Sequence, residues 1–213
     1  MRFLPAPLGI IAEIGFVLGM ASALAAEPPP RIVCLGTSLT AGYGLDPDEA
    51  WPALLQAKVD KAGLRYRVIN AGVSGETSAG ALRRIDWLLR EPAAVLVLET
   101  GANDGLRGQD PEATRANIQG VFDRARRQSP PPKLVLAGMM APPNLGADYT
   151  RRFKSVFPAV AKANGAAFVP FLLEGVAGVA RLNQADGIHP TAAGHERMAD
   201  TVWRVLEPVL RRP

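Results

Sequence analysis

Short apolar runs alternate with amphipathic segments along the chain from residue 31 onward. Five apolar runs predict strands, and the third run is apolar at every position, as a strand covered on both faces of its sheet requires. The predicted strands span residues 31–35, 66–69, 93–98, 133–139 and 166–170. Apolar residues at helical spacing between and after these runs predict five helices. The predicted helices span residues 49–62, 78–90, 110–128, 149–164 and 190–210.

Strands that alternate with helices are typical of a parallel sheet whose two faces are covered by the connecting helices. Neither an internal repeat nor a linker interrupts the alternation. The sequence therefore predicts one α/β domain over residues 27–213. Its architecture is a three-layer α/β/α sandwich on a five-stranded parallel sheet with flavodoxin-like strand order.

The first 26 residues have a different pattern, which predicts a signal peptide over residues 1–26. A short positive region with Arg2 precedes a mostly apolar stretch over residues 8–18, and small residues over 23–26 suit a signal peptidase. The protein is accordingly expected in the periplasm or outside the cell. Glu13 interrupts the apolar stretch, which is also short for a membrane-spanning helix of about 20 residues. An uncleaved anchor and a misassigned start codon remain open alternatives.

Composition and charge exclude several classes of protein. With 48% apolar and 21% charged residues among 213, the chain is not intrinsically disordered, and its single cysteine excludes a disulfide-stabilised miniprotein. The net charge of +4 raises the question of nucleic-acid binding. The basic residues, however, occur as scattered arginine pairs in helical patterns, at 83–84, 126–127 and 151–152, and aromatic residues make up only 6%. We therefore interpret these pairs as solvated helix faces and expect no nucleic-acid partner.

Polar and glycine-rich segments follow four of the predicted strands. Parallel sheets of this class bind ligands at the carboxyl ends of their strands, near the point where the strand order reverses. The four segments span residues 36–44, 70–78, 101–105 and 186–190. They are expected to meet at one edge of the sheet, and each carries polar groups that suit acyl transfer.

Two histidines compete for the role of general base. His189 follows Asp186 by three residues on a glycine-containing turn, so a carboxylate can reach the Nδ1–H of His189 and stabilise the imidazolium. His195 has no such partner upstream, and we interpret it as a surface or packing residue of the last helix. A zinc site needs three or four ligands, and no motif of that kind occurs in the sequence.

Ser38 is the strongest candidate for a nucleophile. It follows the first strand and precedes a glycine-rich turn, so its own N–H can also point at a developing oxyanion. The Gly-x-Ser-x-Gly elbow is not met, because Thr40 stands where the second glycine belongs, and no phosphate-binding P-loop occurs. Cys34 is the rival nucleophile, but its neighbours indicate a buried strand.

Four of these segments resemble the sequence blocks of the SGNH (GDSL) hydrolases. The blocks are Gly36-Thr37-Ser38-Leu39, Ser74-Gly75-Glu76-Thr77, Gly101-Ala102-Asn103-Asp104 and Asp186-Gly187-Ile188-His189-Pro190. Within that superfamily the chain is similar to the TesA-type branch of arylesterases, thioesterases and lysophospholipases. Further agreement with the branch occurs at residues 42–44, 51–55, 105–108 and 141–144. The resemblance covers residues 31–210, with the blocks in the family's order.

The resemblance implies specific roles. Ser38 would be the nucleophile, with His189 and Asp186 completing a catalytic triad. The Ser38 N–H, the Gly75 N–H and the Asn103 side chain would form the oxyanion hole. Neither a metal nor an organic cofactor would be required.

The chain departs from the family pattern at Thr37, where the family has an aspartate. Because the family does not assign that aspartate to the triad, the reaction class is expected to survive. We expect the departure to affect the orientation of the serine loop and the reaction rate.

The resemblance implies hydrolysis of aryl and acyl esters, and also of acyl thioesters and lysophospholipids. The expected partner is therefore a small acyl ester or thioester, with transient contact with membrane lipids. A carbohydrate deacetylase, an O-acyltransferase and a non-catalytic binding module on the same fold remain open alternatives. Neither the chain-length preference nor the oligomeric state follows from the sequence.

Overall fold

The protein is described by a computed structural model over residues 27–212, so the predicted signal peptide lies outside the described residues. All five predicted strands are present and pair in parallel. They are β1 (Arg31–Gly36), β2 (Arg67–Gly72), β3 (Val95–Glu99), β4 (Lys133–Ala137) and β5 (Ala167–Val169). The sheet order is β2-β1-β3-β4-β5, which confirms the predicted flavodoxin-like order.

Seven α-helices connect or follow these strands within residues 27–212. They are α1 (Ser38–Ala41), α2 (Trp51–Lys61), α3 (Ser78–Leu88), α4 (Ala102–Leu106), α5 (Pro111–Ala125), α6 (Ala147–Ala163) and α7 (Ala192–Arg211). Helices α3, α5 and α6 pack side by side, and α2 packs against α7. The fold is thus the predicted three-layer sandwich.

The core lies where the sheet meets its helices. Strands β1 and β3 occupy the middle of the sheet and are buried from Ile32 to Leu35 and from Val95 to Leu98. Central strands are covered on both faces, which accounts for the apolar residues at every one of these positions. The buried centre of the sheet therefore ends directly at the segments that follow β1 and β3.

Helix α7 begins later than predicted. It starts at Ala192, because the Thr191 side chain accepts a hydrogen bond from the Gly194 N–H and caps the helix. Pro190, the predicted first residue, instead forms an isolated antiparallel bridge with Asn183. Helices α1 and α4 were not predicted, because a single helical turn is too short to produce a hydrophobic period.

Within residues 27–212, no helix combines the length and the apolar character needed to cross a membrane.

Candidate active site

Ser38 is the first residue of the single-turn helix α1. Thr37 caps this turn with its hydroxyl, which accepts from the Leu39 N–H, and Gly42 ends it in a left-handed conformation at a φ of 79°. The sequence folds this way because a threonine favours the start of a helix and a glycine adopts positive φ without strain. Only 9% of Ser38 is exposed, so the residue is packed against the body of the domain and does not protrude into solvent.

His189 and Asp186 lie opposite Ser38 on the segment between β5 and α7. His189 Nε2 is 3.0 Å from Ser38 Oγ, and His189 Nδ1 is 2.6 Å from Asp186 Oδ2. Asp186 Oδ1 also accepts the backbone N–H groups of Ile188 and His189, each at 3.0 Å. The hydrogen bond with the His189 ring, followed by these two backbone bonds, lowers the pKa of Asp186 to about 2. Asp186 therefore carries a negative charge at neutral pH and can stabilise a protonated His189.

The three donors predicted for the oxyanion hole line the same cavity as Ser38 Oγ. Within residues 27–212, neither the Ser38 N–H nor the Gly75 N–H donates a hydrogen bond to another protein group. Asn103 Nδ2 donates to the Glu76 carbonyl at 2.9 Å, which fixes the amide and leaves its second N–H hydrogen for a ligand. These are the donor types that stabilise a developing oxyanion.

Helix α4 holds the segment that contains Gly75. Besides the bond from Asn103, Arg107 donates to the Gly75 carbonyl at 3.2 Å. The buried Asp104 accepts the Ser78 N–H at 2.9 Å and the Ser78 hydroxyl at 2.5 Å, so it caps α3 from the neighbouring helix. Asn103 and Asp104 of α4, with Arg107 directly after it, thus fix the segment from Gly75 to Ser78.

Arg84 adds a second set of contacts to this segment. Its guanidinium binds both Glu76 carboxylate oxygens at 2.7 Å and donates to the carbonyls of Ala71 and Gly36, at the ends of β2 and β1. The interpretation of Arg84 as part of a solvated helix face was therefore wrong, whereas Arg83 is exposed. Helical periodicity locates a side chain on a helix but does not reveal a partner on another element.

The cavity in front of Ser38 has a volume of about 570 Å³. Its walls are mainly apolar and come from the segments after all five strands, with Leu39, Leu106, Met139, Pro142 and Phe171 among them. A larger cavity of about 700 Å³ lies at the opposite end of the sheet, beside Lys133 and Ala167. Volume alone would select the wrong end, since Ser38, Asn103 and His189 line the first cavity and not the larger one.

Two residues near His189 were missed from the sequence. The Tyr43 ring lies 4.5 Å from the His189 ring, centroid to centroid, at an interplanar angle of 36°. Gln184 donates to the carbonyls of Tyr43 and Pro190 at 2.7 and 2.9 Å and so ties the two loops together. The sequence marked Tyr43 only as part of the glycine-rich segment after β1 and of the family agreement at residues 42–44, and it gave no signal for Gln184.

The two rival candidates lie in the core. Cys34 is fully buried in β1, and burial raises the pKa of its thiol, which disfavours the nucleophilic thiolate. His195 is 1% exposed, and its Nδ1 accepts the Trp51 N–H at 3.0 Å, which caps α2 from α7. Burial, and then the nearby His189, lower the pKa of His195 to about 4. His195 is a packing residue, and it is neutral at physiological pH.

Known proteins of one family are similar to this chain in sequence and in structure. The model of the GDSL-like lipase/acylhydrolase family matches residues 34–197. Esterase TesA of Pseudomonas aeruginosa is 44% identical over 180 residues, which cover 84% of this chain and 89% of that protein. Thioesterase 1/protease 1/lysophospholipase L1 of Escherichia coli is 35% identical over 181 residues, 84% of each chain. A structure of the psychrotrophic esterase EstA from Pseudoalteromonas, inhibited by monoethylphosphonate, gives a TM-score of 0.79 at 33% identity, covering 85% of this chain and 99% of that one.

The matched residues include all four blocks on which the resemblance was based. The α/β fold with its five-stranded parallel sheet is likewise confirmed by the structural similarity. By sequence and by structure, this chain belongs to the GDSL-like lipase/acylhydrolase family.

Proposed function

We propose that the protein is a serine hydrolase that cleaves carboxylic esters through a Ser38–His189–Asp186 triad. The observation that carries the proposal is the continuous hydrogen-bonded chain from Ser38 Oγ through the His189 ring to Asp186, which opens into an apolar cavity. Such a chain converts a weakly nucleophilic hydroxyl into an attacking group. The names of the relatives, an esterase and a thioesterase/lysophospholipase, support the same reaction class.

The proposed reaction has two stages. His189 Nε2 takes the Ser38 proton as Oγ bonds to the carbonyl carbon, and the carbonyl electron pair moves onto oxygen. The Ser38 N–H, the Gly75 N–H and the Asn103 amide hold that oxyanion. His189 then gives its proton to the departing alkoxide or thiolate, which leaves an acyl-enzyme. Water, deprotonated by His189, cleaves the acyl-enzyme, releases the carboxylic acid and restores Ser38.

The cavity mouth supports acyl and aryl groups as the recognised part of the substrate. Tyr43, Leu106, Met140 and Ile188 line the cavity and are between 41% and 52% exposed. Exposed apolar side chains around a cavity mark a binding surface for an apolar ligand. We therefore propose aryl and acyl esters, acyl thioesters and lysophospholipids as substrates, with transient contact between this mouth and lipids.

A covalent probe and a substrate series test this function together. A fluorophosphonate should label the wild-type protein and not Ser38→Ala, and labelling should abolish hydrolysis of p-nitrophenyl acyl esters. A chain-length series of p-nitrophenyl and acyl-CoA substrates then defines the acyl preference. Faster hydrolysis of acetylated sugars than of any acyl ester would instead assign the protein to the carbohydrate deacetylases. Hydrolysis retained by Ser38→Ala would refute the proposed nucleophile.

Export remains a separate proposal. If residues 1–26 are a signal peptide, protein recovered from its native host begins near Ala26 or Glu27 and is found in the periplasm or medium. N-terminal sequencing of the purified active enzyme decides this, since an intact Met1 would contradict cleavage.

A further inference from the structure

A carboxyl group that the proposed mechanism does not use lies directly behind Ser38. Glu99 is the last residue of β3 and is fully buried. Its Oε2 accepts the Thr37 N–H at 2.7 Å and the Thr40 hydroxyl at 2.8 Å, and the Thr37 hydroxyl lies 3.0 Å from the same oxygen. One carboxyl thus binds the residue before the nucleophile and the residue two positions after it.

Burying the Glu99 carboxyl costs free energy, and the packing of β3 does not require a glutamate at this position. Removing a carboxyl from water opposes stability, and burial accordingly raises the pKa of Glu99, while the hydrogen bonds from Thr37 and Thr40 act in the opposite direction. The positions that precede Glu99 in β3, Val95 to Leu98, are buried and apolar. An apolar residue at position 99 would extend that pattern, so packing alone does not call for a glutamate.

The neighbouring backbone is shaped to receive the carboxyl. Gly36 ends β1 beside Glu99, and a Cβ on Gly36 would lie 1.9 Å from Thr40 Oγ1 and 2.6 Å from Glu99 Oε2. The absence of a side chain at Gly36 therefore opens the space in which the Glu99–Thr40 hydrogen bond forms. The Glu99–Thr40 hydrogen bond therefore depends on a glycine at position 36.

The helix that carries Ser38 needs such an external contact. Helix α1 has four residues, and a helix of one turn is unstable by itself because nucleation fixes several backbone angles for few hydrogen bonds. Glu99 binds one group at the N-terminal cap of this turn and another in its third residue. The position of Ser38 Oγ relative to His189 Nε2 depends on how firmly that turn is held.

We propose that Glu99 is a positioning residue for Ser38, holding the nucleophile's turn through the Thr37 N–H and the Thr40 hydroxyl. The inference rests on the proposed function of Ser38. None of the three residues lines the cavity, so they act on the reaction through Ser38 and do not touch the substrate. The hydroxyl of Thr37, where the family has an aspartate, donates to this carboxyl without adding a second negative charge.

The contact distances dictate which substitutions are informative. In Glu99→Gln, the amide oxygen can accept both the Thr37 N–H and the Thr40 hydroxyl, while the amide nitrogen donates to Thr37 Oγ1. Glu99→Leu removes every one of these bonds. Thr40→Val removes a single hydroxyl at nearly constant volume. Thr100→Val is the matched control, because Thr100 is 1% exposed and its hydroxyl has no hydrogen-bond partner within residues 27–212.

The measurement is kcat and KM for a p-nitrophenyl ester, normalised to active sites titrated with a fluorophosphonate. Glu99→Leu should lower kcat on the order of 100-fold with KM nearly unchanged, since a displaced nucleophile loses rate and not binding. Thr40→Val should lower kcat roughly 10-fold, Glu99→Gln should stay within about 3-fold of wild type, and Thr100→Val should have no effect. The rate of Ser38 phosphonylation should follow kcat.

Several results would overturn the inference. The first is a wild-type kcat per titrated site in Glu99→Leu. The second is a Glu99→Leu variant in which only KM or the melting temperature changes. The third is an equal decrease of kcat in Thr40→Val and Thr100→Val. If Glu99→Leu does not fold, the comparison of Thr40→Val with Thr100→Val decides the question alone. An active Ser38→Ala would refute the proposed function itself. An inactive Ser38→Ala beside unchanged Glu99 and Thr40 variants would refute only the role of Glu99.

Discussion

The protein has two histidines, and they occupy neighbouring regions with opposite environments. His189 lies on the loop before α7, with 18% of its side chain exposed, between the carboxylate of Asp186 and the hydroxyl of Ser38. His195 lies in the first turns of α7, is 1% exposed and accepts a backbone N–H from α2. One imidazole is surrounded by groups that exchange or stabilise a proton, and the other by groups that keep it neutral.

The difference comes from what each ring contacts. The carboxylate of Asp186 on Nδ1 of His189 can stabilise the imidazolium that the proposed mechanism forms during the reaction. A backbone N–H that donates to Nδ1 can bind only the neutral ring, and burial lowers the pKa of His195 further. The same side chain is therefore suited to catalysis in one region and to structural support in the other.

The largest expected effect concerns the catalytic region. Ser38→Ala and His189→Ala should each lower kcat by roughly 10³-fold or more, and the double variant should be little worse, because both residues serve one proton transfer in the proposed mechanism. Steady-state kinetics of the three variants test this. If the two losses multiplied in the double variant, the residues would not share a step.

Asn103 should give the next largest effect. Asn103→Ala should lower kcat by roughly 10²–10³-fold with KM nearly unchanged, because in the proposed mechanism the amide binds the oxyanion more strongly than the ground-state carbonyl. Asn103→Asp should be at least as damaging, since it opposes a forming negative charge with another. Loss of the bond to the Glu76 carbonyl should lower stability by only about 1 kcal/mol.

A separate measurement distinguishes this role from a structural one. Thermal melting of the Asn103 variants, beside kcat per fluorophosphonate-titrated site, separates catalysis from folding. A variant that melts early but keeps its specific activity would assign Asn103 to the turn alone.

In the structural region, the expected loss is of stability. His195→Ala should keep kcat within a few-fold of wild type but lower the free energy of unfolding by roughly 1–3 kcal/mol, because the Trp51 N–H loses its buried acceptor. Chemical denaturation measures the stability, and ester hydrolysis measures the activity. A kcat as low as that of His189→Ala would assign the base to the wrong histidine.

The smallest and most specific effect is on the acid dependence of stability. The pKa of His195 is lowered from 6.5 to about 4 in the folded protein, so the unfolded chain binds a proton more readily in that interval. The stability contribution of the neutral ring is complete above pH 6.5 and is lost as the pH falls toward 4, by roughly 3 kcal/mol at most.

The matched variant for this effect is His195→Asn, which keeps a side-chain acceptor but does not titrate. The free energy of unfolding of wild type should decrease more steeply than that of the variant between pH 7 and 4. Parallel curves would show that His195 does not titrate differently in the folded and unfolded states. Asp186 has a lowered pKa as well, but its contribution is lost only below about pH 4 and is common to both proteins.

Much of this comparison was accessible from local sequence. Asp186 and His189 are three residues apart on one turn, so their side chains can contact each other whatever the rest of the fold is. The apolar runs of β1 and β3 likewise predicted the sheet and the edge at which Ser38, Gly75 and Asn103 would lie. A strand can be recognised in this way because its hydrophobic pattern involves only residues that are adjacent in sequence.

The remaining contacts join residues that are distant in sequence. His195 meets Trp51 across 144 positions, and Glu99 meets Thr37 across 62. Neither residue carries a local signal, since a histidine in a helix and a glutamate after an apolar strand both suit an exposed position.

The sequence by itself therefore determined the five strands, the five longer helices, their order along the chain and the family. Only the tertiary structure decided that His195 caps α2, that Arg84 ties β1 and β2 to Glu76, and that Glu99 is buried behind Ser38. The physical reason is that the state of a buried polar side chain depends on the donors and acceptors that folding brings to it, and these come from other elements.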